Sequence, residues 1–108
     1  MKYLRIKKST DINRLFRKGE RAYSPSLTVL YRPSAKLSMA VTVSKKNGKS
    51  VVRNRIKRLI RAAFSDTCDM LERPYSIIIL PKTADEYCYR TFRKSLVSCF
   101  KKMNSCKG

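Results

Sequence analysis

The sequence predicts an α+β fold, a single-domain α/β sandwich of element order αβββαβα in which helices cover one layer of sheet. Three observations predict it. Residues 53–61 (RNRIKRLIR) carry apolar side chains at helical spacing inside a run of cations. Residues 76–80 (SIIIL), between Pro74 and Pro81, are too few for a helix and too apolar for an edge facing water, and so read as a buried central strand. At 108 residues and 43% hydrophobic content, residues 1–108 form one domain with a single modest core, its ordered part spanning about residues 7–103.

Taken in order, Ser9, Thr10 and Asp11 offer N-caps, Ile12, Leu15 and Phe16 recur at i, i+3 and i+4, and Gly19 ends a first helix whose other side carries Arg14, Arg17 and Lys18. Residues 21–23 make a short strand ended by Pro25. Residues 27–31 (LTVLY) are strongly β-prone and are broken by Pro33, and residues 38–44 (SMAVTVS) form the next strand. The basic helix runs to about residue 65, and the SIIIL strand stops at Pro81. From residue 84 to about 103, Tyr89, Phe92, Leu96, Val97, Cys99 and Phe100 recur at helical spacing. Arg90, Arg93, Lys94, Lys101 and Lys102 point outward, and Asp85 and Glu86 favour the first turn of that helix.

The basic helix is the most informative stretch. Placed on a wheel, Val52, Ile56, Leu59, Ile60 and Ala63 share an arc of roughly 100°, and Arg53, Arg55, Lys57, Arg58 and Arg61 sweep the rest, with Asn54 among them. A solvated surface helix ordinarily mixes both signs, but here no acid occurs between Lys45 and Ser65. Cations spaced i, i+4 repel one another, so the segment calls for a polyanionic partner. Lys45, Lys46 and Lys49 precede the helix in a loop where Gly48 permits positive φ and Ser50 offers an N-cap; backbone donors and the positive dipole at such an end suit a phosphate.

Composition agrees. Lys plus Arg number 26 against 7 Asp plus Glu, a net charge of +19 with pI near 10.4, as in nucleic-acid-binding domains. Opposite its cations the basic helix offers Leu, Ile and Ala rather than an interfacial aromatic face. No apolar run approaches the ~18 residues of a spanning helix, and residues 1–9 lack a signal peptide's hydrophobic region. The expectation is a cytoplasmic protein without a membrane partner. Cys68, Cys88, Cys99 and Cys106 show no C-x-x-C spacing, which speaks against a zinc site, and a reducing compartment speaks against disulfides. The chain has no histidine and no convincing pair of carboxylates for acid/base work, so no catalytic residue and no side-chain metal site is assigned.

Residues 41–64 (VTVSKKNGKSVVRNRIKRLIRAAF) resemble the protein subunit of bacterial ribonuclease P, in which a basic loop leads into an "RNR" helix; SKK, then Gly48, then RNR-x-KR-x-x-R at fixed spacing carries the likeness. The resemblance extends more loosely from about residue 7 to residue 100. It implies one mixed sheet whose βαβ crossover through the RNR helix is left-handed. It also implies a ribonucleoprotein endoribonuclease that removes the 5′ leader of precursor tRNA. There the RNA subunit holds the catalytic Mg²⁺ ions, while the protein, one per RNA, binds that RNA and the leader. Carried onto this chain, the RNA-binding residues are Lys45, Lys46, Lys49, Arg53, Asn54, Arg55, Lys57, Arg58 and Arg61, and the leader cleft is Ile12, Phe16, Val29 and Tyr31. Departures from the family pattern are Ile12 where phenylalanine is common, Ala40 in place of glycine, Tyr75 in place of aspartate, and Pro81 at a frequently basic position. Two other readings share the charge: a structural, rRNA-binding protein of ribosomal type, and a DNA-binding helix-turn-helix module. The latter needs a short turn between two helices, whereas strand and loop precede Ser50.

Overall fold

Alternation along the strands divides the apolar residues between two faces of one sheet in a computed structural model of the chain, which describes residues 3–105. In chain order the elements are β1 (Leu4–Arg5), α1 (Ser9–Lys18), β2 (Glu20–Tyr23), β3 (Leu27–Pro33), β4 (Ser38–Val41), a 3₁₀ turn at Lys45–Asn47, α2 (Ser50–Thr67), a second 3₁₀ turn at Cys68–Met70, β5 (Tyr75–Pro81) and α3 (Tyr89–Ser105). The sheet has five strands in the order β1-β4-β5-β3-β2; β4 is parallel to β1 and to β5, and the β5–β3 and β3–β2 pairs are antiparallel. It is a mixed sheet with the SIIIL strand at its centre, and α2 is the crossover between the parallel β4 and β5.

The expected order αβββαβα stands with one addition. Strand β1 has two residues, too few to show a period in sequence, and it lies before the expected ordered start at residue 7. Its pairing Leu4↔Ser38 and Arg5↔Met39 lengthens the β4 edge. Pro33 and Pro81 do not stop their strands short but occupy the last rung, as Pro33↔Tyr75 and Leu27↔Pro81. A strand end needs no further N–H, so proline is tolerated there.

One face of the sheet carries Leu27, Val29, Tyr31, Met39, Ile77 and Ile79 under α2 and α3, whose Phe64, Phe92 and Phe100 fill the larger core. The other carries Leu30 and Ile78 under Leu15 of α1, with Ile6, Ile12, Ala40 and Leu80 half-buried around them. Each fully buried Leu or Ile contributes about 1.5–3 kcal/mol, so α1 is held by a thin core and leaves open space beside it. Gly19 ends α1 as expected: its N–H donates to the Leu15 carbonyl at 2.8 Å, and a Cβ would stand 2.4 Å from that oxygen.

Three local expectations are corrected. Ser9–Asp11 do not cap α1 but form its first turn after an extended Lys8. Ser50 likewise is the first helical residue of α2 rather than its N-cap, and its hydroxyl accepts from Arg53 Nη2 at 3.1 Å. Helix α3 starts at Tyr89, not near residue 84, because the preceding segment is used to place Tyr87: the Tyr87 hydroxyl accepts from the Ala84 N–H at 3.2 Å, and the Tyr87 ring stacks on Phe92 at 6.1 Å. Asp85 and Glu86 therefore stand in a loop.

Candidate nucleic-acid interface

The buried side of α2 is Ile56, Ile60, Ala63, Phe64 and Thr67, turned by part of a residue step from the arc read in sequence. Phe64 draws the helix round by packing edge-on against Phe100 at 5.8 Å and Tyr3 at 4.8 Å. Val52 is left 37% exposed in consequence, and Leu59 half-buried. Asn54, Arg55 and Arg58 face solvent; Arg53, Lys57 and Arg61 lie half-buried along the border with the core. The Arg53 Nε is enclosed without a hydrogen-bond partner. The helix has no acid in its first turn, so cations gather where the dipole disfavours them. An anion bound there would relieve both the dipole and the mutual repulsion.

Asn47 holds the loop before α2. It is 5% exposed. Its Oδ1 accepts from the Ser44 N–H at 3.0 Å, and its Nδ2 donates to the Pro81 carbonyl at 3.3 Å and the Tyr87 hydroxyl at 3.4 Å, tying the loop to the end of β5 and to the segment before α3. Gly48 follows at φ 119° and ψ −167°, a region open only to glycine, and a Cβ there would approach Val52 Cγ1 to 3.1 Å. Lys45, Lys46 and Lys49 are thereby fixed and exposed beside the start of α2. Sequence reading missed Asn47, although a serine followed three residues later by a side-chain amide is a turn-closing pattern.

The expected leader cleft is not assembled as drawn. Ile12 is half-buried and Phe16 is 39% exposed on α1, but Val29 and Tyr31 are 0% and 5% exposed on the opposite face of the sheet, beneath α2 and α3. Tyr31 meets Tyr75 edge-on at 5.5 Å. The reason is parity: side chains two apart along β3 share a face, and it is Leu30 and Arg32 that look toward α1. The open groove on that side, about 560 Å³, is lined by Arg5, Lys7, Lys8, Arg14 and Arg32 with Asp11 as its acid. A second groove of about 260 Å³ shares Arg5, Ile6 and Lys7 with it and continues past Ile12, Ala40 and Thr42 to Arg61 of α2. Sequence reading missed these cations because they are scattered over β1, α1 and β3.

Cys88 and Cys99 are free, and Cys68 donates from Sγ to the Ser65 carbonyl at 3.6 Å; Cys106 lies outside the described residues. Burial pushes the Cys99 thiol up, and a hydrogen bond with Thr91 lowers that of the exposed Cys88. The Tyr89 hydroxyl donates to Asp66 Oδ2, which raises its pKa and links α3 to α2.

A profile of the ribonuclease P family matches residues 1–104. The chain is 37% identical over 101 residues to the ribonuclease P protein component of Bacillus velezensis, covering 91% of this chain and 87% of that one. The solved Staphylococcus aureus RNase P protein is 28% identical and superposes with a TM-score of 0.79, covering 92% of this chain and 94% of the other. That from Thermotoga maritima shares the fold at a TM-score of 0.81 with 22% identity, over 91% and 96% of the two chains.

Proposed function

Because the chain belongs to the ribonuclease P family of bacterial protein components, we propose that it binds the catalytic RNA through the outer face of α2 and the lysine loop, and the 5′ leader of precursor tRNA through the groove beside α1. The observation that carries this division is the cation-lined path running from Arg14 and Arg32, through Arg5 and Lys7, to Arg61 on α2. A single strand laid along it would keep its phosphates on cations at both ends of the path. Ile12 and the exposed ring of Phe16 stand on the flank of α1 for apolar and stacking contacts, which tolerate any base.

Hydrolysis of the leader bond is assigned to the RNA, together with the Mg²⁺ ions. Among the described residues no group of three or more His, Cys, Asp or Glu is placed to hold a metal ion. The protein's part is to orient and to neutralise: it brings leader and RNA backbone together against their mutual repulsion, one protein per RNA. No described helix is long and apolar enough to cross a membrane. The proposed location, the cytoplasm, follows from the family reading and not from that absence.

The direct test adds the protein to a bacterial ribonuclease P RNA at low Mg²⁺. Precursor-tRNA cleavage should be restored there, whereas rigorously RNA-free protein should cleave nothing; failure to restore, or cleavage by protein alone, removes the reading. Within the holoenzyme, Arg14→Ala combined with Arg32→Ala is expected to weaken precursor tRNA carrying a leader and to leave mature tRNA nearly unchanged. Equal loss for both would remove the groove from the leader site. Arg55→Ala with Arg58→Ala should hold the thermal midpoint, since both side chains are exposed, and flatten the log K against log salt slope for the catalytic RNA by about 0.7–0.9 per lost phosphate contact.

A further inference from the structure

We propose that the outer face of α3 is a second RNA-binding surface, which takes the phosphodiester backbone of a separate segment of the RNA that α2 holds; it rests on the RNA-binding reading above. Helix α3 contains Arg90, Arg93, Lys94, Lys101 and Lys102 and no Asp or Glu. On the helical wheel Arg90, Arg93, Lys94 and Lys101 fall within an arc of about 100°, opposite the buried Phe92, Leu96, Cys99 and Met103. All four are exposed. Lys102 is set apart from the stripe and is used internally, donating from Nζ to the Tyr23 carbonyl at 2.7 Å.

Local folding does not account for this arrangement. Lys101 near the helix C-terminus suits the dipole, but Arg90 is in the first turn and Arg93 and Lys94 in the second, where the dipole disfavours cations and the helix itself carries no acid; of these, Arg93 has a local partner, the Tyr89 hydroxyl that pairs with Asp66. Arg90 and Lys94 also repel each other at i, i+4. A helix that gathers like charges at its unfavourable end against both effects is arranged for an external anion. Asp66, the acid that α2 presents toward α3, is engaged by the Tyr89 hydroxyl.

Placement supplies the partner. Helix α3 lies over β2 and β3, tied there by Cys99 Sγ to the Ala22 carbonyl at 3.6 Å and by the Ser26–Ser95 hydroxyl pair, while α2 crosses beside it from β4 to β5. The two helices pack side by side on one face of the sheet, joined by Tyr89 and Asp66 and by Phe64 and Phe100. Arg55 and Arg58 of α2 and the α3 stripe therefore form two rows on the side of the sheet opposite α1, while Arg61 alone of the α2 cations reaches the groove beside α1. One large folded RNA can meet both rows at once.

The experiment compares wild type, the triple variant Arg90→Ala/Lys94→Ala/Lys101→Ala, Arg90→Glu, and the Arg55→Ala/Arg58→Ala variant as reference. It uses a transcribed bacterial ribonuclease P RNA over a KCl series, with thermal midpoints and with phosphatidylglycerol vesicles as a second polyanion. The triple variant should keep or slightly raise its midpoint, since it removes the Arg90–Lys94 repulsion, and flatten the salt slope by about 2–3, three contacts at about 0.7–0.9 each. Arg90→Glu should raise the midpoint, because the new carboxylate suits the dipole and pairs with Lys94 at i, i+4, while lowering RNA affinity. An unchanged slope in the triple variant with a flattened one in the reference overturns the α3 surface and leaves the proposed function standing; no change in either overturns both. Loss on vesicles alone, or a midpoint lowered by Arg90→Glu, likewise overturns the α3 surface.

Discussion

Tyr31→Ala is expected to lower stability by about 3–5 kcal/mol, the cost of truncating a buried aromatic, and to shift the thermal midpoint by more than about 10 °C. Tyr31 is 5% exposed, with its ring edge-on to Tyr75 in the larger core. A domain of this size has only about 5–15 kcal/mol in total, so the variant should be partly unfolded at growth temperature. Its affinity for tRNA with and without leader should fall together, whereas Tyr31→Phe keeps the ring contact and should retain the fold. Calorimetry and paired binding assays check this. A midpoint close to wild type with a loss confined to leader-bearing tRNA would return Tyr31 to the leader site.

Asn47→Ala should cost about 1–3 kcal/mol, because the Ser44 N–H, the Pro81 carbonyl and the Tyr87 hydroxyl all lose a buried partner. Gly48→Ala should cost a similar amount, of the order of 1–3 kcal/mol, by forcing a side chain into a glycine-only conformation against Val52. Both should weaken the RNA complex beyond what their stability loss explains, since Lys45, Lys46 and Lys49 depend on this loop for their position. Urea titration paired with RNA binding separates the two effects. If either variant bound RNA with wild-type affinity while destabilised, the loop would be a structural clasp alone.

What was legible in the sequence follows from how strongly each pattern constrains the chain. The SIIIL strand, bounded by prolines and apolar after Ser76, had one reasonable place and occupies it at the centre of the sheet. The RNR helix was legible because cations without acids at helical spacing name a face, and Asn54, Arg55 and Arg58 stand exposed on it. Strand β3 was legible as a strand but not in its orientation. Leu27, Val29 and Tyr31 are apolar and so is Leu30 between them, so no alternation tells which set meets α1. The leader cleft drawn from the family pattern accordingly placed Val29 and Tyr31 across the sheet from Ile12 and Phe16. Tyr75 adds to this, since it gives Tyr31 a ring to pack against, edge-on at 5.5 Å, inside the larger core. The α1 groove was invisible for another reason: Arg5, Arg14 and Arg32 are far apart in sequence and meet only through tertiary structure.

Strand β2 closes one side of the sheet with four residues and, among the described residues, pairs only with β3. A free edge of this kind is where a second copy of a chain adds on, and long, flat, uncharged edges seed aggregates. Here the edge is short, Glu20 and Arg21 lie on it, and Lys102 already holds the Tyr23 carbonyl. The net charge of +19 then keeps copies apart at a distance in dilute buffer. That protection is electrostatic and is removed when a polyanion neutralises it. Mixtures holding several copies of the protein per RNA should therefore become turbid before mixtures at one to one, and light scattering across a titration would locate the onset.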